Sequence, residues 1–216
     1  MQKKKPFELV EVVFDAAYLL FAIGLGLYML LSAGENHGLR LYGALALTLG
    51  CGDAFHLVPR IYGSLTGTMA QLAKPLGFGK LVTSITMTVF YVILYHIWCA
   101  YFGYASMTAV VYVLAAVRIL LCLFPQNKWF DEKPPLNWAV ARNIPFALLG
   151  IIVIVLFAVT AIPGSPFRFM SLAVILSFGF YIPVVLWAQK VPAVGALMLP
   201  KTLAYVWILC MGLGLR

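Results

Sequence analysis

The sequence is poor in charged residues. Only 10% of its 216 residues are Asp, Glu, Lys or Arg, whereas a soluble domain carries about 25%. With 63% hydrophobic residues, the chain has too few polar groups to cover a surface that faces water. The composition therefore excludes a soluble globular protein. It predicts a single transmembrane domain over residues 1–216 whose apolar surface faces lipid.

The sequence also lacks the short motifs of several common sites. All four cysteines lie in apolar stretches and none forms a CxxC pair: Cys51, Cys99, Cys122 and Cys210. We interpret them as small core residues rather than disulfides or metal ligands. Because neither HxxxH nor HExxH occurs, we predict no metal site and no other cofactor. The first apolar run is too long for a signal-peptide core and lacks a small-residue cleavage site, which indicates a retained span.

Long apolar runs make up most of the chain. A hydrocarbon core of about 30 Å needs about 20 apolar residues per helix, and polar or Pro/Gly-rich breaks separate the runs. The predicted spans are residues 9–33, 39–60, 80–101, 104–124, 144–162, 167–188 and 193–214. We therefore predict an all-α, polytopic bundle of about seven transmembrane helices in an integral membrane protein.

Lys and Arg are distributed unevenly between the predicted spans. Ten lie at the N-terminus or in the connections on the same side of the bundle: Lys3, Lys4, Lys5, Arg60, Lys74, Lys80, Lys128, Lys133, Arg142 and Lys190. Three lie on the other side: Arg40, Arg168 and Arg216. The positive-inside rule predicts a cytoplasmic N-terminus and an external C-terminus from this bias. The net charge of +8 is then explained by the orientation of the protein in the membrane. We therefore expect membrane lipid and not nucleic acid as a partner. The sequence indicates no oligomeric state.

Ionisable residues inside the apolar spans are the candidates for a functional site: Asp15, Asp53, His56, Arg118 and Lys201. A charge at the centre of a membrane helix costs about 2.5–3.5 kcal/mol on insertion scales, so such residues need partners or a wet cavity. Counted inward at about 1.5 Å per residue, all five fall in the predicted cytoplasmic half. We expect them to line one polar chamber. The alternative is that buried charge pairs only hold helices together.

The chemistry of these residues points to proton transfer. A buried carboxyl group can serve as a general acid or base, and nearby cations can stabilise developing negative charge. We predict Asp53 and Asp15 as catalytic residues. The predicted substrate-binding residues come from four spans: His56, Arg118, Lys201, Ser84 and Tyr91.

One stretch resembles a known family. Residues 52–60, Gly-Asp-Ala-Phe-His-Leu-Val-Pro-Arg, resemble the Gly-Asp-Ala-containing helix of the lysoplasmalogenase-like (YhhN-type) membrane proteins. Residues 76–96 are similar to the helix that follows there, and Lys5-Pro6 is a weaker likeness. The resemblance implies a hydrolase that cleaves the vinyl ether bond of a lysoplasmalogen to an aldehyde and a glycerophospho-base. It also implies a catalytic acid at Asp53.

The chain departs from the family pattern in a late helix. Family members place a second essential Asp after a Ser there, whereas this chain reads Ser177-Phe178-Gly179. Asp15 can replace that acid only if the first span lies beside the second. Family members also typically have more spans than we count.

Two other classes of function stay open. Buried charges also line proton and ion paths, so a small-solute or proton-coupled transporter is one alternative. Such a path would need to reach the outer face, for example through Tyr95, His96 and Thr108. A non-catalytic sensor or assembly protein is the other. Lys201 suggests a retinal Schiff base, but the third span has no acid to act as a close counter-ion.

Overall fold

The computed structural model describes residues 6–131 and 133–215. Within these ranges the chain forms seven α-helices: α1 (Pro6–Ser32), α2 (His37–Thr66), α3 (Ala73–Phe102), α4 (Thr108–Leu123), α5 (Leu136–Val159), α6 (Met170–Trp187) and α7 (Met198–Met211). Short 3-10 segments precede α3, follow α4 and flank α7: Met69–Leu72, Pro125–Asn127, Pro192–Leu197 and Gly212–Leu215. Lys3, Lys4, Lys5 and Arg216 lie outside the described residues.

Among the described residues, six helical segments are long and apolar enough to cross a membrane: Glu8–Ser32, His37–Thr66, Met69–Phe102, Leu136–Val159, Met170–Trp187 and Pro192–Leu215. The remaining helix, α4, is apolar but has only 16 residues. Met107, in the left-handed conformation, precedes it, and Pro125 follows its last turn. The predicted all-α, polytopic fold is confirmed, and the apolar helices indicate an integral, multi-pass membrane protein.

The connection between the second and third helices is much shorter than predicted. The predicted spans end at residue 60 and begin again at residue 80, but α2 continues to Thr66 and α3 begins at Ala73. Gly77 and Gly79 lie inside α3, where the absence of a side chain lets the helix touch backbone. A Cβ on Gly77 would collide with the Trp129 carbonyl, and one on Gly79 with the Phe55 carbonyl. These glycines therefore serve close packing rather than a turn.

Helices that are consecutive in sequence pack side by side, and α7 returns to contact α1 and α2. The start of α1 shares one end of the bundle with the α2–α3, α4–α5 and α6–α7 connections; we call this the N-terminal end. There the Gln189 side chain donates to the Pro134 carbonyl over 2.9 Å. At the opposite end, the Asn36 amide donates to the Leu215 carbonyl over 2.8 Å.

Aromatic rings fill the interior near the opposite end. We call this group of five residues the aromatic layer: Tyr42, Trp98, Phe102, Phe157 and Phe167. The Tyr42 and Phe167 rings are stacked with centroids 5.7 Å apart, and Phe157 meets Phe167 edge-on at 5.8 Å. The Trp98 indole donates to the Leu156 carbonyl over 3.1 Å. This half of the core is therefore closed by packed rings.

Candidate functional site

Asp53 lies near the middle of α2 and accepts a hydrogen bond from α1. The Tyr18 hydroxyl donates to Asp53 Oδ2 over 2.7 Å, the usual length for a hydroxyl donor and an oxygen acceptor. Tyr18 is buried, whereas Asp53 keeps part of its surface accessible. The carboxyl group is thus held in position by the Tyr18 hydroxyl.

Lys201 approaches the same region from the first turns of α7. It is buried, and its amine lies 5.2 Å from the Tyr181 ring centroid and 4.9 Å from that of Tyr205. Its charge interacts with that of Asp53. Among the described residues, however, no ion pair within 4.0 Å joins the two groups. The amine and the carboxyl group therefore share the interior without direct contact.

Asp15 lies one turn before Tyr18 on α1 and is buried. It interacts electrostatically with Arg60, Glu11 and Asp53. Arg60 forms an ion pair with Glu11 at 3.1 Å. The fold therefore brings the first helix beside the second, as a second carboxyl group near Asp53 requires. No hydrogen bond between the described side chains links the two acids.

His56 lies one turn beyond Asp53, toward the N-terminal end. Its Nδ1 atom is buried and has no hydrogen-bond partner among the described residues. The charges that act on it most strongly are those of Lys80 and Arg60, and Lys201 also acts on it. His56 therefore adds an unsatisfied polar atom to a cationic part of the interior.

Arg118 projects from α4 into a group that the sequence did not reveal. Its Nη1 atom donates to Asn143 Oδ1 over 3.2 Å, and the Tyr181 hydroxyl donates to the same oxygen over 3.0 Å. The guanidinium carbon lies 3.4 Å from the Phe146 ring centroid. Asn143 was missed because it is uncharged and precedes the predicted span at 144. Since α5 begins at Leu136, its side chain belongs to the bundle interior.

The two candidates on α3 have different surroundings. The Tyr91 ring is buried between Phe146 and Phe178, and its hydroxyl lies near Ser177 without forming a well-oriented hydrogen bond. Tyr91 therefore lies next to the Arg118 group. Ser84 instead donates to the Lys80 carbonyl of its own helix over 2.8 Å. No described contact joins Ser84 to the other candidates.

Six residues from six helices make up the candidate site, which we call the polar layer: Tyr18, Asp53, Arg118, Asn143, Tyr181 and Lys201. Lys201 connects the Asp53 side to the Arg118 side through the Tyr181 ring. The layer offers a carboxyl group for proton transfer and two cations for binding negative charge. Within residues 6–131 and 133–215, no group of three His, Cys, Asp or Glu residues is placed to hold a metal ion.

The polar layer combines one carboxyl group with two cations, inside a bundle whose helices are mostly apolar. In comparisons with known proteins, no family model, no curated protein and no solved structure matches the chain.

Proposed function

We propose that the protein is a membrane-embedded hydrolase that cleaves the vinyl ether bond of a lysolipid, with Asp53 as its general acid and base. The observation that carries the proposal is the setting of Asp53. It lies inside an apolar helix bundle, bonded to Tyr18 at 2.7 Å and near the Lys201 charge without an ion pair. The resemblance of residues 52–60 to the lysoplasmalogenase-like proteins supports the same residue.

The proposed reaction adds one water molecule across the vinyl ether. Protonated Asp53 gives its proton to the alkene carbon that is not bonded to oxygen, which leaves an oxocarbenium ion. Water adds to that ion and releases a proton to the Asp53 carboxylate, so the residue returns to its starting state. The hemiacetal then breaks its bond to the glycerol oxygen, giving an aldehyde and a free hydroxyl group. Tyr18 orients the carboxyl group throughout.

In this scheme the other candidate residues bind the lysolipid or support Asp53. Lys201 and Arg118 attract the negatively charged headgroup, because they are the cations of the polar layer. Asp15 is the proposed second carboxyl group and acts on Asp53 electrostatically. His56 and Tyr91 line the same interior, and Ser84 is the weakest member of the set because it bonds to its own helix.

The aromatic layer favours this proposal over a transporter. A transport path would have to pass Phe157 and Phe167, whose rings fill the core near the opposite end. The polar residues expected to continue the path lie between α3 and α4, where Tyr95 and Thr108 bond to each other at 2.6 Å. Polar groups confined to one half of the interior suit an enzyme acting on lipid better than a path across the membrane.

The central test is an assay of lysoplasmalogen hydrolysis by the purified protein in detergent. The release of the fatty aldehyde is the measured quantity. Asp53→Asn should lower the rate by about 10²–10⁴-fold, the range for loss of a general acid or base, while the melting temperature stays close to that of the wild type. Asp131→Asn, in the exposed α4–α5 connection, is the matched control. A wild-type protein without activity, or an Asp53 variant with full activity, would refute the proposal.

We also propose that the N-terminal end of the bundle faces the cytoplasm. Seven described cations lie toward that end: Arg60, Lys74, Lys80, Lys128, Lys133, Arg142 and Lys190. Arg40 and Arg168 lie at the opposite end, so the positive-inside rule supports this orientation.

A thiol reagent that cannot cross membranes tests the orientation in a cysteine-free background. Glu35→Cys, exposed at the opposite end, should be labelled in intact cells. Lys133→Cys, exposed at the N-terminal end, should be labelled only after permeabilisation. The reverse pattern would show the opposite orientation.

A further inference from the structure

Arg118 is a buried cation without an acidic partner in the part of the chain that the structure describes. It is 2% exposed, and its Nε atom is buried without a hydrogen-bond partner from residues 6–131 and 133–215. Among the described residues, no carboxylate lies within 4.0 Å of it. The other ionic charges acting in this region include Lys201 and Arg142, which are also positive. Because an uncompensated buried charge is costly, this position favours an anionic ligand.

Two hydrogen-bond donors already converge on one point beside Arg118. The guanidinium and the Tyr181 hydroxyl both donate to Asn143 Oδ1, at 3.2 and 3.0 Å. The Asn143 amide nitrogen is held by the Ala139 carbonyl over 2.8 Å, which fixes the direction of the oxygen. The Arg118 Nε atom, in contrast, has no hydrogen-bond partner among the described residues, so a phosphate oxygen that accepted from it would form a charge-assisted bond.

An apolar groove between α5 and α6 leads to these donors. It has a volume of about 170 Å³, and Asn143 and Tyr181 are the polar residues in its lining. Its remaining walls are mostly aliphatic: Val140, Ile144, Ala147, Ile182, Val185 and Leu186. Ile144 and Ile182 are 56% and 44% exposed, so the groove opens on the outer, lipid-facing side of the bundle. Hydrocarbon walls suit an alkyl chain better than water.

We propose that this groove and the Arg118 group form a binding site for an anionic phospholipid. One acyl chain occupies the groove between α5 and α6, and the phosphate is bound by Arg118 and Tyr181. A lipid fits better than a free phosphate, because Asn143 and Tyr181, the hydrogen-bonded neighbours of Arg118, line an apolar groove that opens to the membrane. Because Arg118 is also one of the two cations proposed to attract the substrate headgroup, this site rests on the proposed function and deepens it, while Asp53 takes no part in the binding.

Three probes separate the parts of this ligand in a binding titration of the full chain in uncharged detergent. A lysophosphatidic acid should bind. The monoacylglycerol with the same chain lacks the phosphate, glycerol 3-phosphate lacks the chain, and each should bind at least tenfold more weakly. If glycerol 3-phosphate bound as well as the lysolipid, the site would be one for free phosphate. Equal binding of the monoacylglycerol would show that charge is not recognised. Either result overturns the proposal.

Variants assign the binding to the proposed residues. Arg118→Gln should weaken lysophosphatidic acid binding at least tenfold, whereas Arg168→Gln, exposed at the opposite end, should bind as the wild type does. Ala147→Phe should weaken binding by filling the groove while the phosphate donors stay intact. Unchanged binding by Arg118→Gln or Ala147→Phe overturns the proposal.

Two further variants keep the test decisive. Should Arg118→Gln fail to fold, Tyr181→Phe still removes one phosphate donor and should weaken binding severalfold; unchanged binding would then count against the site. Asp53→Asn should bind lysophosphatidic acid normally. Loss of hydrolysis and loss of lipid binding are therefore distinguishable.

Discussion

The polar layer and the aromatic layer use the same bundle of helices but are held together by different contacts. In the aromatic layer most rings are buried and they touch each other directly, as in the stacked pair of Tyr42 and Phe167, although the buried Tyr42 hydroxyl has no hydrogen-bond partner among the described residues. In the polar layer, hydrogen bonds such as that from Tyr18 to Asp53 coexist with charged groups that have no close partner of opposite sign in the described part of the chain, as at Lys201 and Arg118. One half of the core is therefore held mainly by ring packing, whereas the other half contains charges without a direct ionic partner.

This difference indicates where stability and function reside. Lipid tails are as apolar as the side chains, so helices in a membrane associate through close packing and hydrogen bonds rather than through hydrophobic burial. The aromatic layer supplies that packing. The polar layer pays a desolvation cost for its charges, which is a reason to assign the ligand or the reaction to it. Substitutions should therefore affect stability in one layer and activity in the other.

The largest expected effect on stability comes from breaking the aromatic layer. Phe167→Ala removes a ring that contacts Tyr42, Tyr101 and Phe157, and a buried Phe→Ala change costs about 3–5 kcal/mol. Thermal unfolding in detergent should show a large fall in melting temperature, while the folded fraction retains activity. Phe169→Ala, 49% exposed, is the control and should be mild. Equal falls in melting temperature for the two variants would contradict the idea that ring packing in the aromatic layer stabilises the bundle.

The next largest effect concerns the hydrogen bond between Tyr18 and Asp53 in the polar layer. Tyr18→Phe removes the donor to Asp53, and leaving an acceptor inside the bundle without its partner costs about 1–3 kcal/mol. We expect a moderate fall in melting temperature and a larger fall in lysoplasmalogen hydrolysis. Tyr112→Phe removes the hydroxyl that bonds to His96 at 2.7 Å and should leave hydrolysis unchanged. If both variants kept full activity, Asp53 would not need its partner.

A smaller effect tests the close approach of α2 and α3 beside the polar layer. Gly79→Ala places a Cβ against the Phe55 carbonyl and His56 Cα, and overpacking of this kind costs about 1–3 kcal/mol. Gly24→Ala is the matched control, because nothing lies within 4 Å of its added Cβ. The melting temperatures of the two variants should therefore move apart. A Gly79 variant as stable as the Gly24 variant would show that the helices can separate at no cost.

The smallest effect belongs to the ion pair of Arg60 and Glu11, near the N-terminal end. Its side chains are 32% and 20% exposed, and such pairs contribute about 0–1 kcal/mol. Glu11→Gln should lower the melting temperature slightly at low salt and less at high salt, because added ions screen the pair. Glu35→Gln, at the opposite end, serves as the control. A large fall that is independent of salt would place Glu11 within the polar layer proper.

Several features of the fold were predictable because each depends on local sequence. The apolar run of α1 was placed within a few residues, at 9–33 against Pro6–Ser32, since a polar break follows it. The start of α3 was predicted seven residues too late, at 80 rather than Ala73. Glycines usually mark breaks, and only the neighbouring backbone of Trp129 and Phe55 reveals that they serve packing here.

The candidate site was predictable in part. Asp53, Lys201 and Arg118 stand out because a charge within an apolar run is rare. Asn143 and Tyr181 do not stand out, since neutral polar residues are common in membrane helices. Their importance appears only when α4, α5 and α6 place them around one guanidinium group.

By itself, the sequence determined that the chain is an all-α membrane protein and which few charges its interior has to accommodate. The length and polarity of each segment are local properties of the sequence. They are sufficient to predict both the helical membrane fold and the set of charges in its interior. The tertiary structure decided which partners those charges meet: Tyr18 for Asp53, aromatic rings for Lys201, and Asn143 for Arg118. The helical period fixes which residues share a face, but the rotation of each helix against its neighbours depends on packing across the whole bundle.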